Sequence, residues 1–185
     1  MSNHRINLRY ATALFDFAAE KNKVEETFND VQIIADICDK SRELRVMLKS
    51  PIVFSDKKIK VINEIFKDKI GVVTGTFIDI LIRKHREEHL PGIAHSFIEL
   101  YRKSKGIKVA NVTSAKKLEK SSYEQLISIL TEQTKSEIIL NELVDPDIIG
   151  GLIVEIEGVK FDDSIRKKIQ TLQQEFNINT YIKGF

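Results

Sequence analysis

The chain has 185 residues, 42% of them hydrophobic and 30% charged, the balance of a folded protein and not of a disordered one. A formal net charge of +2, with a slight basic excess up to Lys105 and a slight acidic excess beyond it, argues against a nucleic-acid partner. The single cysteine, Cys38, excludes an internal disulfide and points to a reducing compartment. No stretch approaches the ~20 consecutive apolar residues of a membrane span. The opening residues Met1–Arg5 lead into an amphipathic pattern without a signal-peptide core or an acid-poor transit segment, so the expectation is a protein that stays in the cytoplasm.

Up to about residue 105 the apolar spacing is helical. The first helix is predicted over residues 5–20. In the second, Val24, Phe28, Val31, Ala35 and Cys38 recur at helical intervals, with Asn22 and Glu25 as a capping-box-like start. A third, Arg42–Lys49, ends before Ser50-Pro51, because proline disfavours helical geometry in the residue before it. The fourth is predicted over Asp56–Asp68, the fifth over Val73–Glu88, and Pro91 opens a sixth carrying Ile93, Phe97, Leu100 and Tyr101. Six helices with short connections predict an antiparallel bundle.

Beyond Lys105-Gly106 the period changes. Lys108–Ser114 reads as a strand, and a helix follows with Ser121 and Glu124 as its capping box and Tyr123, Leu126, Ile127 and Leu130 inward. Glu137–Val144 reads as a second strand. After the turn Asp145-Pro146-Asp147 and the pair Gly150-Gly151, Leu152–Glu157 and Val159–Phe161 form a predicted hairpin turning at Gly158. Asp162 and Asp163 are candidate caps for a last helix with the stripe Ile165, Ile169, Leu172 and Phe176. The fold class is thus α+β: an N-terminal six-helix bundle over 1–105, then a small α/β domain with a short mixed sheet over 106–185.

Several strings invite chemistry. His85-Arg86-Glu87-Glu88-His89 is literally HxxEH, and on a helix His85 and His89 would share a face and reach one metal, the basis of an alternative reading as a zinc-dependent hydrolase. The same string also suits a charged, solvated helix end, with no third ligand or substrate cleft marked elsewhere. Gly150 and Gly151 lack the pattern of a phosphate loop and fit a turn needing positive φ or close backbone approach. Lys57-Lys58-Ile59-Lys60 and Arg166-Lys167-Lys168 are short basic runs on amphipathic helices, where a solvated face is the default. Cys38 lies on an apolar stripe and reads as a structural thiol. The chain is expected to hold no cofactor and no metal.

The more informative feature is an excess of apolar surface. In the first helix Ala11, Leu14, Phe15 and Ala18 suffice to face the core, yet Ile6, Tyr10, Ala13 and Phe17 form a second apolar flank. The fifth helix repeats this with Thr76, Ile80 and Lys84 beside its core-facing residues. A partner helix lying between the two would use both flanks. Alternatively, both are central helices buried on all sides.

Taken together, Tyr10-Ala11-Thr12-Ala13-Leu14-Phe15-Asp16-Phe17-Ala18, Ser50-Pro51-Ile52 with Lys57, Arg86 with Leu90-Pro91-Gly92-Ile93, Val112–Leu118, Val144–Gly151 and Phe161–Arg166 resemble, in order, the motifs of the δ subunit of bacterial F-type ATP synthases, the oligomycin-sensitivity-conferring protein of mitochondria. Lys117 stands where that family often has proline, and Asp163 where it often has glycine. The resemblance implies a non-catalytic peripheral-stalk (stator) subunit. Its N-terminal bundle would grip N-terminal helices of the α subunits of the catalytic head, and its C-terminal domain would engage the C-terminal end of the b-subunit stalk. The two together would resist rotor torque during proton-driven ATP synthesis. Carried onto this chain, the α-subunit groove is Ile6, Tyr10, Ala13 and Phe17 with Thr76, Ile80 and Lys84. Asp145, Gly150 and Gly151 take the role of a structural turn, and Asp162 and Ser164 that of a helix cap. The b contact is a region only, including Gly150–Glu155 and the last helix. The implied location is the cytoplasmic face of the bacterial plasma membrane, touching it only through the complex, with the isolated chain a monomer.

Overall fold

The computed structural model describes residues 2–67 and 69–177. The chain divides into two compact units, Met1–Lys105 and Gly106–Phe185.

The first unit contains α1 (Ser2–Glu20), α2 (Val24–Lys40), α3 (Arg42–Lys49), α4 (Ser55–Phe66), α5 (Val72–Arg83) and α6 (Leu90–Ser104), with a single 3-10 turn at Glu87–His89 before α6. Their apolar stripes close on one core that includes Leu14, Val31, Ile34, Ile62, Phe66, Ile78, Ile82, Ile93 and Phe97. The bundle is not uniformly antiparallel. α2 opposes α6, since Phe28 stacks on Tyr101 near the start of one and the end of the other, whereas His95 near the start of α6 meets Asp39 near the end of α2. α1 runs alongside α6 in the same direction: Asn7 lies against Gly92, and Phe15 meets Phe97 with ring centroids 5.9 Å apart. Gly92 allows this, because a Cβ there would come within 2.0 Å of the Asn7 amide.

Several helix ends depart from the sequence pattern. α5 stops at Arg83 instead of Glu88, because His85 turns into the left-handed region (φ 54) and the next amides fold back on the last turn, Arg86 N–H donating to the Leu81 carbonyl at 2.9 Å. The Asn22/Glu25 box does not form; Asn22 sits at φ 54, and the Glu25 carboxylate instead meets the Tyr101 hydroxyl and the Lys105 ammonium. α4 begins at Ser55 and ends at Phe66; Asp68, the end expected from sequence, lies outside the described residues.

The second unit is a four-stranded mixed sheet in the order β2-β1-β3-β4, with β1 (Lys108–Ser114) parallel to β2 (Ile138–Val144) and antiparallel to β3 (Leu152–Ile156), which pairs antiparallel with β4 (Val159–Asp162). The parallel pair is joined by α7 (Lys120–Thr134), and α8 (Ile165–Asn177) follows β4. α7 begins at Lys120, before the expected Ser121/Glu124 box, and carries no side-chain cap bond. Alternation puts Ala110, Val112, Leu140, Val154 and Ile156 on one face, where Leu130, Leu126 and Ile127 of α7 cover them. The opposite face is mixed, Val109, Ile139, Leu143 and Ile153 alternating with the buried set beside Asn111, Asn141 and Glu155, with Asn141 donating to Asn111 across the β1–β2 pair at 3.2 Å.

Candidate docking groove

The two flanks singled out in the sequence fall on neighbouring helices. Leu14 of α1 and Thr74, Phe77 and Ile78 of α5 line one small void in the core, and the turn after α5 leads into Gly92 beside Asn7. α5 therefore runs against α1, its Lys84 end toward Ile6 and its Thr76 end toward Phe17. The core-facing residues of α5, Thr74, Ile78, Leu81 and Ile82, are buried. Of the other α5 residues singled out, Thr76 and Lys84 are exposed and Ile80 is 48% exposed. On α1, Ile6 and Tyr10 are half-buried, Ala13 is exposed and Phe17 is 39% exposed. Those exposures exclude the alternative of two helices buried all round, and leave a strip of apolar surface spanning Ile6 to Phe17, about 16 Å at the helical rise of 1.5 Å per residue. The missing side chain at Ala13 opens its middle, where another backbone can approach closely. One contributor was not foreseen: the Lys21 ammonium stands 5.9 Å over the Phe17 ring and puts a cation at that end of the strip.

What holds α5 in place is a long-range cap. Asp30, 6% exposed on α2, accepts from the Gly71 N–H at 2.8 Å and from the Thr74 hydroxyl at 2.6 Å through one carboxylate oxygen. It does the work of an N-cap for α5, which has none of its own. Because 41 residues separate Asp30 from Gly71, no local pattern signals it.

In the second unit the turn residues are tightly set. Asp145 accepts from the Asp147 N–H at 2.9 Å. Gly151 has φ 79, and a Cβ there would lie 2.3 Å from the Asp163 carbonyl oxygen, so the position demands glycine. Gly150 is pressed by Ile165, whose N–H donates to its carbonyl at 2.9 Å. At the start of α8, Ser164 Oγ accepts from the Lys167 N–H at 3.2 Å, and Asp162 accepts from the Ser164 N–H at 3.0 Å. The Ser164 hydroxyl, then its backbone N–H, holds the Asp162 carboxyl below its usual range. Asp163, the other candidate cap, pairs with Lys168 instead. The α8 stripe stays open: Ile165 and Ile169 are 42%, Leu172 51% and Phe176 86% exposed. On the sheet, Val159 and Phe161 extend the apolar face past the cover of α7, and with Leu130, Val154 and Ile156 they line a groove of about 490 Å³.

The metal reading fails on geometry. With α5 ended at Arg83, His85 lies exposed in a left-handed turn while His89 is buried in the 3-10 turn, so they share no helical face. Among the described residues no group of three His, Cys, Asp or Glu side chains is placed to hold a metal. Burial pushes the Cys38 thiol up to about 11, the state of an unreactive core side chain. No helix among the described residues is long and apolar enough to cross a membrane.

Each unit thus keeps apolar side chains exposed beside its own closed core. Residues 6–176 match the family described as ATP synthase delta (OSCP) subunit. The chain is 35% identical over 165 residues to the ATP synthase subunit delta of Desulforudis audaxviator (strain MP104C), covering 89% of this chain and 91% of that one. It is 32% identical over 182 residues, 98% of each chain, to the subunit delta of Christiangramia forsetii (strain DSM 17595 / CGMCC 1.15422 / KT0803). A chain in the cryo-EM structure of the Toxoplasma gondii mitochondrial ATP synthase hexamer shares the fold with a TM-score of 0.73 at 22% identity, over 92% of this chain and 96% of that one. The chain belongs to the ATP synthase delta (OSCP) subunit family, and is a structural stator subunit of that complex, not an enzyme.

Proposed function

We propose that the α1/α5 groove holds an amphipathic helix from the N-terminus of an α subunit of the catalytic head, and that the C-terminal unit holds the C-terminal end of the b-subunit stalk. The chain then ties head to stalk against rotor torque during proton-driven ATP synthesis, at the cytoplasmic face of the bacterial plasma membrane, reaching the membrane only through the complex. The observation that carries this reading is the exposed apolar strip of Phe17 and Ile80 around Ala13: about 25 cal/mol is gained per Å² of such surface removed from water, and a helix is the element whose width fits between two others. The open α8 stripe, and separately the exposed Val159 and Phe161 on the sheet, support the stalk contact. The stripe's 4-3-4 spacing from Ile165 to Phe176 is that of a helix meeting another helix.

The test is co-purification of α and b with the tagged full chain from source-cell membranes, followed by titration of a synthetic α N-terminal peptide. The chain contains no tryptophan, so a tryptophan placed in the peptide reports binding without background. Capture of α and b supports the reading. If the chain retains neither, the reading is wrong; if the peptide binds equally well after Ala13→Asp, the groove assignment is.

A further inference from the structure

The N-terminal unit holds a second feature that the α1/α5 groove does not use. Between the corner that joins α3 to α4 and the turn before α6 lies a cleft of about 500 Å³. Its floor is a buried ion pair joining residues 29 apart in sequence: Lys58 Nζ donates to Glu87 Oε1 at 2.6 Å and to the Leu48 carbonyl at 2.9 Å, with side chains only 4% and 7% exposed. Glu87 Oε2, equally buried, has no hydrogen-bond partner among the described residues. An unsatisfied carboxylate oxygen in such a place carries a desolvation penalty that an incoming donor removes. Lining the cleft with them are His85, a second carboxylate, Glu88, 51% exposed with its Oε1 3.3 Å from His89 Nε2, and the ring of Phe54, 75% exposed.

We propose that this cleft receives the cationic side chain of an arginine or lysine from a partner polypeptide. The cation sits over the Phe54 ring and donates to Glu87 Oε2, with Glu88 as its outer acceptor. Two acids beside an aromatic face are the arrangement that recognises such a group, by charge-assisted hydrogen bonds and by attraction to the ring. Glu87 is suited to it because one oxygen is fixed by Lys58, which orients the other. Lys49 and Lys58 balance Glu87 and Glu88 in formal charge around the cleft, so recognition rests on local geometry and depends only weakly on salt. The site is independent of the groove reading, sharing no residue with it.

The experiment is a titration of the full chain with N-acetyl-arginine N-methylamide, followed by amide chemical shifts, with N-acetyl-glutamate N-methylamide as the opposite-charge probe. The arginine probe is expected to give saturable shifts at Phe54, Ser55, Glu87 and Glu88, and the glutamate probe none. Phe54→Ser and Glu88→Gln, both at exposed positions that leave the fold intact, should each weaken the arginine probe roughly two- to fivefold. Glu87→Gln should abolish its saturable binding, and if that variant does not fold the two exposed variants decide. An absence of saturable shifts, equal shifts from the glutamate probe, or unchanged affinity in both exposed variants overturns the proposal and leaves Lys58–Glu87 as a tie between two loops.

Discussion

Replacing Asp30 with alanine tests whether α5, and with it half of the groove, is held by a residue on another helix. The substitution strips partners from the Gly71 N–H and the Thr74 hydroxyl, the second of which is 1% exposed. Hydrogen bonds to a charged group are worth about 1.5–3 kcal/mol each. Gly71 is only half-buried, so water restores part of its loss, and the Thr74 hydroxyl can turn to a carbonyl of its own helix. A net cost of about 2–4 kcal/mol follows, or roughly 10–20 °C in Tm for a unit of this size. Asp30→Asn keeps an acceptor oxygen of the same shape and should cost about 1 kcal/mol, chiefly the lost charge at the helix N-terminus. The assay is urea unfolding of the full chain, with hydrogen exchange resolving the first turn of α5 from the rest, since two units need not unfold together. Exchange there should accelerate in Asp30→Ala more than in α2, and the α peptide should bind more weakly. A loss below about 1 kcal/mol, or equal losses from the alanine and asparagine variants, refutes the capping role.

Ala13→Asp should leave helicity unchanged, because the position is exposed, yet weaken the α peptide by roughly 2–3 kcal/mol, about 30- to 150-fold, as an unpaired carboxylate is drawn under the partner helix. Gly151→Ala combines φ 79 with a Cβ 2.3 Å from a carbonyl oxygen and should lower the stability of the C-terminal unit by on the order of 2–4 kcal/mol, with peptide binding to the N-terminal unit intact. Leu172→Asp, at a half-exposed position, should leave thermal unfolding within about 0.5 kcal/mol of the parent while reducing recovery of b in a pull-down. The Lys105 ammonium, then the Tyr101 hydroxyl, hold the Glu25 carboxyl below its ordinary 4.5. Its contribution is therefore present above that value and lost as pH falls below it, so unfolding curves of the parent and Glu25→Gln should converge on acidification and with added salt.

The parts of this fold that were legible in the sequence are those fixed by local periodicity. The stripe Val24–Cys38 made a helix because every third or fourth residue had to face one core, and the change of period after Gly106 marked a sheet. What was not legible depended on residues far apart. The fifth helix was expected to continue to Glu88; the chain instead turns at His85 with no glycine to announce it, and Glu87 is drawn inward to Lys58. Glu25 was read as a partner for Asn22, three residues away, but the Tyr101 hydroxyl and Lys105 ammonium offer a charged acceptor more than a backbone amide does. The groove was half legible: the spare apolar flanks of α1 and α5 showed in the spacing, but whether neighbours cover them is a tertiary fact.

The last turn of α6 gives a physical reason to connect fold and proposed task. A helix that ends a unit ordinarily frays, since its final carbonyls lack partners. Here Tyr101 stacks on Phe28 at 3.8 Å between centroids, its hydroxyl reaches Glu25, and Lys105, the final residue of the unit, pairs with the same carboxylate while lying 5.6 Å from the Tyr101 ring. Four groups thus fasten the exit of α6 to the start of α2. The Glu25–Lys105 ion pair is a surface one and by itself adds little to equilibrium stability. The effect of the four groups is local: they raise the free energy of opening the final turn, which is where a subunit pulled through its chain would begin to unravel. Gly106 follows at φ 69, a left-handed turn that glycine adopts without strain, so the helix ends where the fastened turn ends.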